Sequence, residues 1–263
     1  MSMNLILAFA TGYKVEQYVD FLNSVKKITQ PFKLVLFTDL QQDDFLEWSF
    51  CEVENVNSDK YKNVSVPVIA AVIRYYYYQQ YLLSTNVDGA VLFCDIRDVV
   101  FQHGDVFENL LSEKIYVFKE NNQHSFGKCG CHTQWYKTIG REDFTKKFST
   151  ETFYCSGVQL FGSLNSCLHY LYKFVDVCEQ YINYTFYIND QTIHNILIYE
   201  DYFDTTILYK YESELNDKVF NMGLCREEDY KIVDKVLSYT QSNIIPSIIH
   251  QYDRRIGRTK ELL

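Results

Sequence analysis

Apolar residues along this chain fall into two patterns, and the switches between them outline an alternating α/β order. Leu5 to Ala10 is an unbroken apolar run of strand length, followed by the polar turn Thr11-Gly12-Tyr13. Residues 15–28 then space Val15, Val19, Leu22 and Val25 three and four apart, the stripe of a helix. Lys33 to Phe37 reads as a second strand, ending at Thr38-Asp39. This order predicts a parallel unit with a right-handed crossover, its strands covered on both faces. Val53 to Val56 reads as a short third strand. Residues 66–83 read as a helix carrying Val68, Ala71, Val72, Tyr75, Tyr78 and Leu82 on one side, with Arg74 inside it. The run Ala90 to Cys94 then stops at two carboxylates, in Asp95-Ile96-Arg97-Asp98.

The second half continues less regularly. Ile115 to Phe118 is a further strand, whereas residues 119–150 show little periodicity and read as a long functional loop containing Gly127, Gly130 and Gly140. Phe153 to Phe161 reads as a strand broken by Ser156-Gly157. Residues 164–182 read as a helix with Leu164, Leu168, Leu171 and Val175 on its stripe. Asp190 to Ile198 reads as a shorter helix capped at Asn189 or Asp190. An apolar run from Ile244 to Ile249 precedes His250-Gln251-Tyr252-Asp253-Arg254-Arg255. No repeat, low-complexity tract or linker divides the chain, so one domain over residues 1–263 is expected.

Composition narrows the function classes. A formal charge of −9 argues against a nucleic-acid partner, which needs a basic surface. It leaves room for a small phosphorylated ligand held by a local cation or a few arginines. The 23 tyrosines and 19 phenylalanines suit a large core, and tyrosines lining a polar cleft would also suit sugar binding. No apolar stretch approaches the ~18 residues of a membrane span, and the first residues carry no basic leader. A soluble cytoplasmic protein with its eight cysteines reduced is therefore expected. Cys129, Cys131, His124 and His132 lie near one another in sequence, but the C-x-C spacing is tighter than that of structural zinc sites.

Four polar groups end a strand-like run or open a helix, where ligands of open α/β sheets bind. They are Thr11-Gly12-Tyr13 with Thr38-Asp39; Asp95-Ile96-Arg97-Asp98; Tyr154 to Val158 with Asn189-Asp190-Gln191; and His250 to Arg255. In this order they resemble nucleotide-sugar-dependent glycosyltransferases of the GT-A fold, in particular small soluble enzymes with an Asp-x-Arg-Asp-Val-x-Phe-Gln motif. Here that motif is Asp95-Ile-Arg-Asp-Val-Val-Phe-Gln102, and the likeness extends over most of the chain. It implies a Rossmann-like, mixed but mostly parallel sheet flanked by helices. Residues 1–118 would mainly hold the nucleotide, and residues 119–263 would supply the acceptor side and a C-terminal metal and diphosphate segment.

The resemblance also implies roles. Asp95, Asp98 and His250 would hold Mn²⁺ or Mg²⁺, an oxygen-rich set in which imidazole favours Mn²⁺. Thr11, Gly12, Tyr13 and Asp39 would meet the base and ribose of a UDP-sugar. Arg74, Arg97, Arg254 and Arg255 would face phosphate or carboxylate. Ser156, Gly157 and Gln191 would face a glycan acceptor, with Cys155 standing where the family has Asn. Asp190 would be the catalytic carboxylate, a general base if transfer inverts the anomeric centre; as a helix N-cap it would have no chemical role. A strict Asp-x-Asp motif would place its second carboxylate at position 97, occupied here by Arg97. The expected activity is sugar transfer from a UDP-sugar to a carbohydrate hydroxyl. The rival readings are a non-catalytic nucleotide- or glycan-binding module on the same fold and a metal-dependent phosphate hydrolase.

Overall fold

The first apolar run forms β1 (Asn4–Phe9), and its alternate residues enter two different cores. Leu5 and Leu7 point to one face of the sheet, Ile6 and Ala8 to the other. The same division recurs in β2 (Phe32–Thr38) and β4 (Val91–Cys94), with Val35, Phe37, Val91 and Phe93 on the first face. Leu34, Leu36, Leu92 and Cys94 take the second. Burial on both faces is why these strands read as continuous apolar runs rather than alternating ones. The computed structural model describes residues 2–62, 70–120, 124–182, 187–211, 216–254 and 262.

Between these strands lie α1 (Val19–Val25), β3 (Cys51–Asn55) and α2 (Ala70–Leu83). The helix expected over 15–28 is shorter, because Val15–Gln17 form a separate 3₁₀ turn. The expected start of α2 at 66–69, with Val68, lies outside the described residues. After β4 come β5 (Val99–Phe101), β6 (Ile115–Phe118), α3 (Gly130–Thr138) and α4 (Glu142–Lys147). The segment expected to be an irregular loop thus carries two helices. Then follow β7 (Val158–Phe161), α5 (Leu164–Ile182), α6 (Asp190–Tyr199) and β8 (Leu208–Tyr211). The strand expected from Phe153 is confined to its second half, past Ser156-Gly157. In α5 the buried side carries Cys167, Tyr170, Leu171, Phe174, Val175, Val177 and Cys178, so Leu171 and Val175 of the expected stripe are buried while Leu164 and Leu168 are only half-buried.

Among the described residues seven strands form the main sheet, in the order β3-β2-β1-β4-β7-β6-β8. Pairings are parallel from β3 to β4 and between β6 and β8, while β7 runs antiparallel to both of its neighbours. The mixed, mostly parallel sheet flanked by helices is the architecture expected from the sequence. On its first face Tyr75 of α2 stacks on Phe174 of α5 at 3.8 Å between ring centroids. Tyr61, Tyr78, Tyr136, Tyr154 and Tyr170 join the same core. Each such ring contributes about 2 kcal/mol by leaving water. The excess of tyrosine therefore mostly fills the core; among the described residues Tyr13 is the tyrosine that lines the cleft below.

The C-terminal part adds β9 (Val219–Asn221), β10 (Tyr230–Val233), β11 (Val236–Tyr239) and β12 (Ile248–His250). β10 and β11 pair as an antiparallel ribbon, and β12 inserts between β5 and β9. The β12–β5 register sets His250 opposite Val99, the residue after Asp98. Two parts of the chain about 150 positions apart meet there. Among the described residues no helix is long and apolar enough to cross a membrane.

Candidate active site

Several strands, turns and helices bring polar side chains to a common cleft beside the residues that follow β4. β4 is followed by Asp95, whose backbone N–H donates to Gly157 O at 2.8 Å because β7 lies antiparallel beside it. Asp98 is carried three residues further by the turn into β5, and Gln251 N–H donates to its carbonyl at 2.6 Å. His250 Nε2 lies 3.6 Å from Asp95 Oδ2 and 3.9 Å from Asp98 Oδ1. One ligand atom from each of the three residues fits within a 4.8 Å span, and among the described residues this is the cluster of three metal-competent side chains.

The surroundings of His250 prepare that geometry. Asn221 Nδ2 donates to Lys119 O at 3.4 Å, which turns Asn221 Oδ1 toward His250 Nδ1 at 2.8 Å. Nδ1–H is thereby committed as a donor, and Nε2 is left facing the carboxylates. Gly157 lies directly against this arrangement. A Cβ there would collide with His250 Nε2 and come within 2.6 Å of Cε1 and 2.9 Å of Asp95 Oδ2. The space between His250 and Asp95 thus tolerates hydrogen at position 157 and nothing larger. Gln251, which follows His250, adopts the left-handed conformation at φ 62°. Such a conformation is rare for a side chain with Cβ and typical of site residues held by their surroundings.

Electrostatics divide the carboxylates. Burial works to raise the pKa of Asp95, but the Arg74 charge and His250 outweigh it and hold the carboxyl below its usual range. Asp98 and Asp190 are pushed up, burial outweighing His250 in the first case and Arg74 in the second. Burial also works against a charged His250, yet Cys155 and the carboxylates of Asp98 and Asp95 raise its pKa well above the ordinary value. Cys155 Sγ sits 3.2 Å from His250 Nδ1, but burial raises its own pKa and keeps it a neutral thiol. The carboxylates therefore carry the effect on His250.

Arg74, on α2, is the second organiser. It is buried, with Nη1 on Asp95 Oδ1 and Nη2 at 2.6 Å from Asp190 Oδ2 and 3.3 Å from Ser156 O. One guanidinium fork thus ties three polar groups from β4, the turn before β7, and α6. Asp190 is the first residue of α6 but does not stand alone as its cap. Asn189 is the N-cap, its Oδ1 accepting the Gln191 N–H at 2.9 Å, and Asp190 Oδ1 accepts the same N–H at 2.8 Å. Gln191 Nε2 donates to Glu120 Oε1 at 2.7 Å and to Tyr154 O at 3.4 Å.

The cleft encloses about 410 Å³, within the usual range for small-molecule sites. Of the residues singled out in the sequence, Thr11, Tyr13, Arg74, Asp95, Arg97, Asp98, Ser156, Gly157, Asp190, Gln191, His250 and Arg254 line it. Thr11 Oγ1 is buried there without a hydrogen-bond partner among the described residues, an acceptor and donor for an incoming group. Gly12 and Asp39 stand behind this wall: Asp39 Oδ1 accepts the Gly12 N–H at 3.1 Å, and Gly12 takes φ 78°. Arg97 is exposed and faces Asp253 at 3.6 Å, leaving Asp98 as the second carboxylate of the cluster. Arg254 reaches 4.0 Å from Asp98. Arg255 lies outside the described residues.

Sequence reasoning missed Asn221, Trp135 and Glu120, which reach the site only through tertiary pairing, and gave Gln251 of the fourth polar group no role of its own. Conversely, the cysteine–histidine tract does not assemble: His132 is buried against Phe153, with ring centroids 3.9 Å apart, and Cys131 is exposed. All eight cysteines are free.

No protein-family model matches the chain, and no curated protein sequence matches it. Among solved structures it is similar to the crystal structure of the galactosyltransferase LgtC in complex with donor and acceptor sugar analogues. The TM-score is 0.53 at 14% identity, covering 94% of this chain and 86% of that one. The likeness is one of fold, and the fold is the GT-A arrangement.

Proposed function

We propose that the chain is a divalent-metal-dependent glycosyltransferase that moves a sugar from UDP to a hydroxyl of a carbohydrate acceptor. The observation that carries this reading is the convergence of Asp95, Asp98 and His250 at the carboxyl edge of β4. It gains weight from a fold shared with a galactosyltransferase that was crystallised with donor and acceptor analogues. Two carboxylate oxygens and an imidazole nitrogen suit Mn²⁺, and suit Mg²⁺ less well because of the nitrogen. His250 Nε2 lies 3.6 Å from one carboxylate oxygen and 3.9 Å from the other, close enough for the three side chains to share one ion. A bound ion would act as a Lewis acid that neutralises charge on the departing diphosphate.

The chain's own residues do the rest. Thr11 and Tyr13 receive the base and ribose, on a loop shaped by Gly12 and Asp39. Arg74 aligns Asp95 with Asp190, so the donor end and the acceptor end of the cleft are held by one side chain. Arg254 faces the diphosphate with Arg97 beside it; Arg255, next in sequence, belongs to the same group in this proposal. Ser156, Gly157 and Gln191 form the acceptor wall, and Asp190 is the catalytic carboxylate. With one oxygen on Arg74 and the other on the Gln191 N–H, Asp190 meets a sugar hydroxyl as an acceptor. It takes the hydroxyl proton only if its pairing with Arg74 is loosened. In this reading the chain acts as one catalytic domain, and its eight free thiols suit a reducing compartment such as the cytoplasm.

Thermal melting with ligands tests the donor assignment. UDP and Mn²⁺ together should raise the melting temperature more than the sum of either alone, because each completes the other's site. Stabilisation by GDP or CMP with Mn²⁺, and none by UDP, would overturn the choice of donor.

A further inference from the structure

The Asp95–Asp98–His250 cluster is one part of the cleft wall. Thr11 and Tyr13, which follow β1, line the same cleft, and so does Trp135, brought in by α3. Trp135 is half-buried, and the contact that fixes its ring is with His132, at 4.9 Å between centroids and 66° between planes. His132 is held in turn by stacking on Phe153 at 3.9 Å. The indole is therefore propped from behind by a rigid, neutral aromatic pair while it lines an otherwise polar cleft. An aromatic side chain so placed is not filling the core.

The same cleft is lined by polar groups from the start of α6, the helix that α3 packs against. Gln191 commits its Nε2 to Glu120 and Tyr154, so its Oε1 is left as an acceptor; among the described residues that atom takes no hydrogen bond. Asn189 commits its Oδ1 to the cap, which leaves Nδ2 as a donor. Asp190 supplies a carboxylate between them. An apolar plane and a donor–acceptor row in one cleft match a hexopyranose ring, which has a face of C–H bonds and an edge of hydroxyls.

We propose that Trp135 is the stacking platform of the acceptor subsite and sets its specificity for a hexopyranose with a C–H face. The inference rests on the glycosyltransferase reading above. The ring stacks on the indole, and its hydroxyl edge turns to Asn189, Asp190 and Gln191. One hydroxyl is thereby brought toward the metal cluster.

The test is steady-state kinetics of UDP release from UDP-glucose and UDP-galactose with Mn²⁺, using methyl hexopyranosides and lactose, maltose and cellobiose as acceptors. Trp135→Ala should raise the acceptor KM about tenfold. The donor KM and the slow acceptor-independent hydrolysis should stay at their wild-type values. Trp135→Phe, which keeps an aromatic face and the packing on His132, should recover most of the acceptor affinity. An unchanged acceptor KM in Trp135→Ala, or equal losses for donor and acceptor, would overturn the inference while leaving the transferase reading intact. Failure of the wild type to release UDP from either donor would overturn both.

Discussion

Gly157 is where the site tolerates least. Its α-hydrogen faces His250 and Asp95, and a methyl group would stand 2.9 Å from Asp95 Oδ2 and closer still to the imidazole. Both neighbours are fixed, Asp95 by Arg74 and His250 by Asn221, so neither can yield cheaply. Gly157→Ala should therefore weaken Mn²⁺ binding by about tenfold or more, the usual cost of displacing a ligand's support. Calorimetric titration of Mn²⁺ into the folded variant checks this, and wild-type affinity would contradict the role given to the glycine. The identities of Asp95, Asp98 and His250 were legible in the sequence as polar residues closing apolar runs. That Asp98 and not Arg97 completes the set follows from the turn into β5, which points one side chain inward and the other toward Asp253. No local pattern encodes that choice.

At the scale of elements, the start of α6 shows how one short segment serves stability and chemistry together. The Gln191 N–H has two acceptors, Asn189 Oδ1 and Asp190 Oδ1. Asn189→Ala should cost about 1 kcal/mol, an ordinary cap loss, because Asp190 remains. Asp190→Asn should cost on the order of 3 kcal/mol, since it leaves buried Arg74 with Asp95 as its remaining carboxylate. Urea unfolding of the two variants checks the order; a larger loss at Asn189 would contradict the account of Arg74. Stability alone therefore does not separate a catalytic from a structural role at position 190. Long elements were legible: the 19-residue α5 has the bounds its periodicity suggests. Short ones were not. The nine-residue α3 and six-residue α4 hold too few turns to show a stripe, so Trp135 was hidden in apparent loop. β5, β9 and β12 have three residues each, and tertiary pairing rather than propensity makes them strands.

For the molecule as a whole, the two-faced sheet explains both what was legible and how stability should respond to acid. Continuous apolar runs announced the parallel strands, but their order and the antiparallel insertion of β7 depend on contacts far apart in sequence. The aromatic packing on the first face also traps a neutral histidine: burial lowers the pKa of His132 from 6.5 to about 3. The unfolded chain takes up that proton as pH falls through 6.5, while the folded chain resists until about 3, so stability is lost over that window. The slope is about 1.4 kcal/mol per pH unit. His132→Phe removes this contribution. Relative to wild type it should gain about 3 kcal/mol in urea-unfolding free energy between pH 7 and pH 4. A constant difference across that range would show that His132 is not held neutral. The central claim is that Asp95, Asp98 and His250 make this fold a metal-dependent sugar transferase. Its most direct test is UDP release from UDP-glucose and UDP-galactose as Mn²⁺ is titrated into wild type and Asp95→Ala. The account predicts release that rises with Mn²⁺, stops with EDTA and falls at least about a thousandfold in the variant. Release that ignores both EDTA and the substitution would contradict it.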